Sequence, residues 1–182
     1  MVNEVHESEN SEQAAALLKR GCLKEQTAGR PLVLHSDNGT AMKGATMLAS
    51  MHQLGVMPSF SRPRVSNDNA YAEALFKTAK YCPLWPERPF DTLDEARVWV
   101  HQFVYWYNEE HRHSGLKYVT PDQRHRGQAD GLLAHRTAVY QTAQAKNPQR
   151  WAGEIRNWEL DDVVYLNPEQ KQASSAIQPI AA

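Results

Sequence analysis

The stretch LVLHSDNG, from Leu32 to Gly39, sets three apolar residues directly before His, Ser, Asp, Asn and Gly. A short, continuous apolar run predicts a buried strand rather than a half-exposed one. The Asn-Gly pair predicts a turn, so Asp37 would lie just beyond the end of that strand. Such an aspartate either belongs to the turn or is held at the tip of the strand as a metal ligand. On this pattern alone, the turn is favoured.

Size and composition limit the class of protein. With 182 residues, 41% of them hydrophobic and 23% charged, the chain predicts one ordinary globular domain with room for a small appendage. No apolar run is long enough to span a bilayer, and the acidic N-terminus does not resemble a secretory signal, so the cytoplasm is the expected location. The formal net charge of −1 gives no overall nucleic-acid signature.

The cysteines and histidines argue against a zinc site. Cys22 and Cys82 fit neither a disulfide framework nor a CxxC pair. His111 and His113, the densest histidine pair, have no cysteine partners and no HExxH spacing. Surface or polar-core histidines are therefore favoured over zinc ligands.

Hydrophobic periodicity predicts alternating helices and strands in the first part of the chain. An amphipathic helix over residues 11–26 precedes a strand at 31–36, and a helix at 43–54 precedes a strand at 56–60. This order indicates a layered α/β domain.

The second part of the chain predicts mostly helices. Thr92-Leu-Asp-Glu95 is a capping box that opens a helix to about residue 110, and Thr120-Pro-Asp-Gln123 is a second box that opens a shorter one. A further helix is expected over residues 129–146, followed by one or two small strands within 150–169.

A polar loop, SRPRVSNDN at residues 61–69, precedes a predicted helix over residues 70–81. Asn67, Asp68 or Asn69 can cap its first backbone amides. This places Glu73 near the junction of the loop and the helix.

Glu73, Lys77 and Lys80 share one face of that helix, because they are four and three residues apart. A Glu–Lys pair at this spacing usually only stabilises a helix. The alternative is a metal-binding glutamate followed by two lysines that track a phosphate backbone, with Arg62 and Arg64 adding positive charge in the preceding loop. The residues alone leave both interpretations open.

Three segments together resemble a known family. LVLHSDNGTAMKG, SFSRPRVSNDNAYAEALFKTAKY and FVYWYNEEHRHSGLKYVTPDQRHRG closely resemble the integrase core of insertion-sequence transposases of the two-frame kind, which is related to retroviral integrases. The resemblance runs from about residue 4 to residue 169. It implies an α/β, RNase H-like fold and DNA transposition as the function.

The resemblance also implies roles for individual residues. The family holds two Mg²⁺ or Mn²⁺ ions with an Asp, Asp, Glu triad, of which Asp37 matches the second aspartate and Glu73 the glutamate. Both are therefore the candidate catalytic and metal-binding residues. Lys80 matches a basic residue that engages DNA, with Lys77 as a secondary candidate.

Two loop residues complete the set of DNA-binding candidates. Asn69 lies in the loop that approaches the DNA end in relatives, and Arg64 adds positive charge to that loop. The implied reaction is attack on a DNA phosphodiester by water and then by a 3′-hydroxyl, without a covalent enzyme intermediate.

The first aspartate of the triad has no match, because the acidic residues before Asp37 are all glutamates. We therefore expect an N-terminally truncated core without its first strands. The expected domains are a partial core at 4–127, a helix with a small β extension at 128–170, and a disordered tail at 171–182.

Truncation would leave the metal site incomplete and a strand edge exposed. We expect the isolated chain to be inactive in DNA cutting and joining, and to be poorly soluble or self-associating. The alternative function is a non-catalytic remnant that binds DNA or joins multimers, either with copies of itself or with full-length transposase.

Overall fold

The computed structural model describes residues 2–27, 29–63, 65, 68–161, 163 and 164. Its helices and strands follow one another in the order α1 (Ser11–Lys24), β1 (Leu32–Ser36), α2 (Thr40–Lys43), α3 (Ala45–Leu54), β2 (Val56–Phe60), α4 (Ala70–Lys80), α5 (Leu93–Tyr105), a π-helical turn (Trp106–Glu110), a 3₁₀ turn (Ser114–Leu116), α6 (Pro121–His125), α7 (Ala129–Lys146) and a 3₁₀ turn (Pro148–Arg150). The predicted mixed α/β order is confirmed.

The sheet has two parallel strands in the described part of the chain. β1 pairs with β2 in a register that sets Leu32 opposite Val56 and Ser36 opposite Phe60. Because parallel neighbours need a crossover connection, α2 and α3 carry the chain from one strand to the other. The two strands consequently end at the same edge of the sheet.

One face of the sheet packs against α1 and α3. Ala15, Met47, Met51 and Val56 form the buried cluster there, with Leu32 and Leu34 among the partly buried residues against it. The helix predicted over residues 43–54 is interrupted at Gly44, where a Cβ atom would lie only 2.5 Å from Cβ of Ser11. Close packing of α1 on this junction explains the glycine and the break.

The start of α4 corrects the capping prediction for Asn69. Asn69 precedes the helix, but its side chain makes no capping hydrogen bond. The carboxylate of Asp68 accepts hydrogen bonds from Arg62. Asn67 lies outside the described residues. None of the residues of α4 is buried, although the helix is strongly amphipathic.

An aromatic column stabilises α5 and the π-helical turn. Trp99 stacks on Phe103, Phe103 contacts Tyr107, and Tyr107 stacks on His111, with ring centroids 5.6 to 5.9 Å apart. Burial raises the pKa of the Tyr107 hydroxyl. Burial, with a smaller contribution from His113, lowers the pKa of His111. The π-helical turn replaces the last turn of the predicted helix and keeps these rings in one column.

The segment after α7 corrects a second prediction. Residues 151–161, 163 and 164 contain no strand, so the predicted β extension is wrong for those residues. The segment is attached by a side chain instead of by backbone pairing, because Trp158 packs into a second buried cluster with Val119, Ala129 and Leu133. The predicted disordered tail lies outside the described residues.

No helix in the described part of the chain is long and apolar enough to cross a membrane.

Candidate functional site

Asp37 follows the last residue of β1 and forms a turn with its own side chain. Its Oδ1 atom accepts a hydrogen bond from the backbone N–H of Gly39, at 3.0 Å. The carboxylate is exposed to solvent, and the structure gives its Oδ2 atom no hydrogen-bond partner among the described residues. The turn therefore accounts for one oxygen of Asp37 and leaves the other accessible.

His35 ties the loop after β2 to the end of β1. Its Nδ1 atom lies 2.9 Å from Oγ of Ser59, and its Nε2 atom lies 2.8 Å from the backbone oxygen of Asp68. Asp68 directly precedes Asn69, the residue that flanks the first residue of α4. A side chain of β1 thus holds the N-terminus of α4 against the sheet.

Backbone contacts strengthen the same attachment. Ser61 donates its N–H to the carbonyl of Ser36 at 2.9 Å, and Asn38 donates from Nδ2 to the carbonyl of Ser61 at 2.8 Å. The turn that carries Asp37 and the loop that leads to Glu73 are therefore fixed to one another at the carboxyl ends of both strands.

An ion pair closes the loop upon itself. Arg62 donates to Asp68 through Nε and Nη2, at 3.0 and 2.8 Å, and through its backbone N–H at 2.7 Å. Asp68 is only 5% exposed. The guanidinium and backbone hydrogen bonds of Arg62 lower the pKa of the Asp68 carboxyl to about 2.

Glu73 lies in the first turn of α4, about 4.5 Å along the helix axis from Ala70. Glu73, Lys77 and Lys80 are all exposed. Glu73 and Lys77 do not come within ion-pair distance in this part of the structure, so the pair is not engaged in the simple helix-stabilising contact. The carboxylate of Glu73 remains available to a ligand.

The donor set suits a hard cation but is small. Asp37 and Glu73 offer exposed carboxylate oxygens, which Mg²⁺ and Mn²⁺ prefer. The described residues contain no group of three or more histidine, cysteine, aspartate or glutamate side chains placed to hold a metal.

A further acidic residue lies beside Asp37. Oε1 of Glu9 and Oδ1 of Asp37 lie 3.6 and 3.0 Å from the position that a Cβ atom on Gly39 would occupy. The sequence shows Glu9 only as one of several upstream glutamates. The proximity of Glu9 and Asp37 depends on how the segment before α1 lies against the turn after β1, so no local pattern could have singled out Glu9.

Of the two loop residues predicted to bind DNA, Asn69 and Arg64, the structure describes only Asn69. Asn69 is half-buried at the start of α4, beside the residue that His35 holds. Arg64 lies outside the described residues. His35, Arg62 and Asp68 position the loop and were not predicted to do so.

The sequence of the central segment agrees with the predicted family. Residues 54–121 match the family model described as integrase core domain. Over these residues the chain is similar to the integrase core family. Glu73, Lys77 and Lys80 lie within the matched integrase core segment, whereas Asp37 precedes it.

Several proteins have similar sequences. The transposase for insertion sequence element IS904 of Lactococcus lactis is 32% identical over 91 residues, which cover 50% of this chain and 36% of that protein. A transposase-like protein of Haemophilus influenzae is 25% identical over 114 residues, covering 63% and 51%. A Lactococcus lactis protein named as an ATP-dependent protease is 26% identical over 121 residues, covering 66% and 39%.

Together with the integrase core match, the two transposase relatives confirm the predicted resemblance. The chain spans about half or less of the length of these relatives. Among solved structures, a simian T-cell lymphotropic virus intasome is 20% identical, with a TM-score of 0.28 over 52% of this chain and 34% of that one. A similarity this low does not bear on the geometry of the site.

Proposed function

We propose that the chain is the C-terminal part of a transposase that performs metal-dependent cleavage and transfer of DNA strands. The observation that carries this proposal is the integrase core match, which includes Glu73, Lys77 and Lys80, all of them exposed on α4. The attachment of α4 to the ends of β1 and β2 supports a shared site with Asp37.

In this proposal Asp37 and Glu73 are the catalytic carboxylates. When bound, Mg²⁺ or Mn²⁺ would activate the attacking water or 3′-hydroxyl and stabilise the leaving oxygen. Asp37 contributes its free Oδ2 atom, while its Oδ1 atom keeps the turn in place. The position of Glu73 is set by the start of α4, which His35 holds through its hydrogen bond with the backbone oxygen of Asp68.

The lysines of α4 position the DNA. Lys77 and Lys80 lie one and two turns beyond Glu73 on the same helical side, so they approach phosphates next to the reacting one. Asn69 and Arg64 extend this contact into the loop before α4. These contacts position DNA without reading its sequence, because phosphates are the same at every step of the duplex.

We propose further that this chain by itself does not catalyse strand transfer. It contains no aspartate before Asp37, and its described residues hold no group of three metal ligands. The second candidate function, a remnant that binds DNA or joins transposase multimers in the cytoplasm, is favoured by the same observation. The partial core at 4–127 and the extension at 128–170 remain proposed units.

The experiment measures binding and strand transfer with the same protein. The full chain is titrated against labelled duplex DNA, and the Lys80→Gln variant is expected to weaken binding by about tenfold at about 0.1 M salt. Lys19→Gln is the matched control, because Lys19 is exposed on α1, away from the site, and its loss should change affinity less than twofold.

Catalysis is assayed with transposon-end DNA and Mn²⁺. No joined product is expected from the chain alone. Joined product that disappears in Asp37→Ala would overturn the proposed inactivity, and equal binding by Lys80→Gln and the unmodified chain would overturn the proposed DNA contact.

A further inference from the structure

Two arginine side chains converge on two aromatic rings between the turn before α6 and the segment after α7. Cζ of Arg136 lies 4.7 Å from the ring centroid of Trp158, and Cζ of Arg156 lies 5.4 Å from the same ring and 5.0 Å from that of Tyr118. Arg136 also donates from Nη1 to the backbone oxygen of Lys117, at 2.5 Å. We call Lys117, Tyr118, Arg136, Arg156 and Trp158 the arginine–aromatic cluster.

We propose that the arginine–aromatic cluster is a second binding surface for the phosphate backbone of duplex DNA, separate from the lysines of α4. The inference rests on the proposed function in one respect, that the chain binds DNA. It assigns a role to the segment after α7, which contributes Arg156 and Trp158 to the cluster.

The positive charge of the cluster is not compensated. Among the described residues, Lys117, Arg136 and Arg156 form no ion pair with a carboxylate. Other exposed arginines do, since Arg88 pairs with Asp91. An aromatic face attracts a cation but leaves its full charge, so the cluster presents uncompensated positive charge to an anion.

Asp130, the acidic residue of α7, lies on the opposite flank from Arg136. Leu133 is buried against Trp158, and at 100° per residue Arg136 and Asp130 project to opposite sides of it. Asp130 lines a cavity on its own side together with Glu159, and it is 3.7 Å from Arg124. The ring of Trp158 therefore separates the basic flank from the acidic one.

The backbone holds the cluster in a fixed shape. Lys117 and Tyr118 both adopt left-handed conformations, with φ of 54° and 63°, which residues other than glycine rarely do. A β-bridge between His113 and Val119 closes the turn, and Val119 is fully buried. The turn thus orients Tyr118 toward Arg156 before any ligand binds.

The chemistry of the cluster fits a phosphodiester. A guanidinium stacked on a ring keeps the N–H groups at its edge free to donate, and this planar fork matches the oxygens of a phosphate. Arg156 is exposed, and Arg136 and Lys117 are half-buried, so a polyanion can reach them from solvent. Preordered side chains also lose less conformational entropy when they bind.

The test measures how binding of the full chain to two labelled duplexes of unrelated sequence depends on salt. Each phosphate contact adds about 0.9 to the slope of log K against log salt concentration. We expect Arg156→Gln to lower that slope by about one and to weaken binding about tenfold at about 0.1 M salt, equally for both duplexes. The double variant Arg156→Gln, Lys117→Gln should lower the slope by about two.

Controls separate this inference from the proposed function. Arg88→Gln removes an equal charge from an arginine that is already ion-paired, and it should leave the slope unchanged. Thermal melting of each variant checks the fold, and Arg156→Lys should restore most of the slope because it restores the charge. Lys80→Gln could weaken binding while Arg156→Gln binds as the unmodified chain does. That result would overturn the proposal that the cluster binds DNA, and the proposed function would stand.

Two further outcomes overturn the inference. A chain that binds neither duplex overturns the cluster together with the proposed DNA contact. An effect of Arg156→Gln on only one of the two duplexes overturns the assignment to the phosphate backbone, which both duplexes share.

Discussion

At the scale of single residues, His35 decides where the site lies. The sequence offers a histidine inside an apolar strand, which is more often a satisfied polar-core residue than a functional one. In the structure its two nitrogens contact Ser59 and Asp68, which are 24 and 33 residues away along the chain. Long-range partners of this kind cannot be read from a local pattern, whereas the position of Asp37 after a strand could be.

Asp68 gives a prediction in which pH changes stability. Its folded-state pKa, about 2, is below the ordinary value of 3.8, so the charged form stabilises the fold at pH above about 4. This stabilisation should disappear as the pH falls from about 4 to about 2. We expect Asp68→Asn to be less stable than the unmodified chain at pH 6 and equally stable near pH 2, as measured by urea unfolding.

Asp94→Asn is the control for this experiment. It removes an exposed pair with Arg97, which contributes at most about 1 kcal/mol, and it should lower the free energy of unfolding only slightly. A stability difference between Asp68→Asn and the unmodified chain that stays constant from pH 6 to pH 2 would contradict the assignment.

At the scale of secondary-structure elements, capping gives the sharpest prediction. Thr120 accepts from the N–H of Gln123 at 3.2 Å, and the side chain of Gln123 accepts from the N–H of Thr120 at 3.0 Å. Thr120→Ala removes the first of these bonds from a buried position and should lower the free energy of unfolding by about 1 to 2 kcal/mol. Thr120→Ser keeps the hydroxyl and should lower the free energy of unfolding clearly less than Thr120→Ala does. Equal decreases in the two variants would exclude capping as the cause.

Most elements could be predicted because their signals are local. The box at Thr120, the strand Val56–Phe60 and the helix Ala129–Lys146 follow from capping residues, apolar runs and helical periodicity. The features that the sequence did not predict depend on packing between distant segments. Gly44 interrupts a helix because α1 packs closely against it, and Trp158 attaches the C-terminal segment without any strand.

At the scale of the whole molecule, the candidate site is only partly encoded in local sequence. The family resemblance predicts roles for Asp37, Glu73 and the two lysines of α4. The matched integrase core segment, residues 54–121, contains all of these except Asp37. Sequence does not reveal that Glu9 lies beside Asp37, nor that arginines 136 and 156 share one aromatic ring. These contacts bring together residues from segments far apart in the chain.

The open face of the sheet leads to a prediction about association. Val33 and Met57 are opposite one another in the register and are 51% and 65% exposed, while the other face is covered by α1 and α3. In the described part of the chain, each strand has only one neighbour, so one edge of each remains unpaired. We therefore expect concentration-dependent self-association, measurable by sedimentation velocity.

The double variant Val33→Thr, Met57→Gln tests whether this face is responsible. Each side chain contributes about 1.5 kcal/mol or more when fully buried, so removing both should weaken association at least about tenfold. Leu48→Gln is the matched control, because Leu48 is 38% exposed on α3, away from the open face, and its loss should leave association unchanged. A chain that sediments as a monomer at every concentration would contradict the prediction. Association that persists unchanged in the double variant would instead locate the contact elsewhere, since the sheet face would then contribute nothing to it.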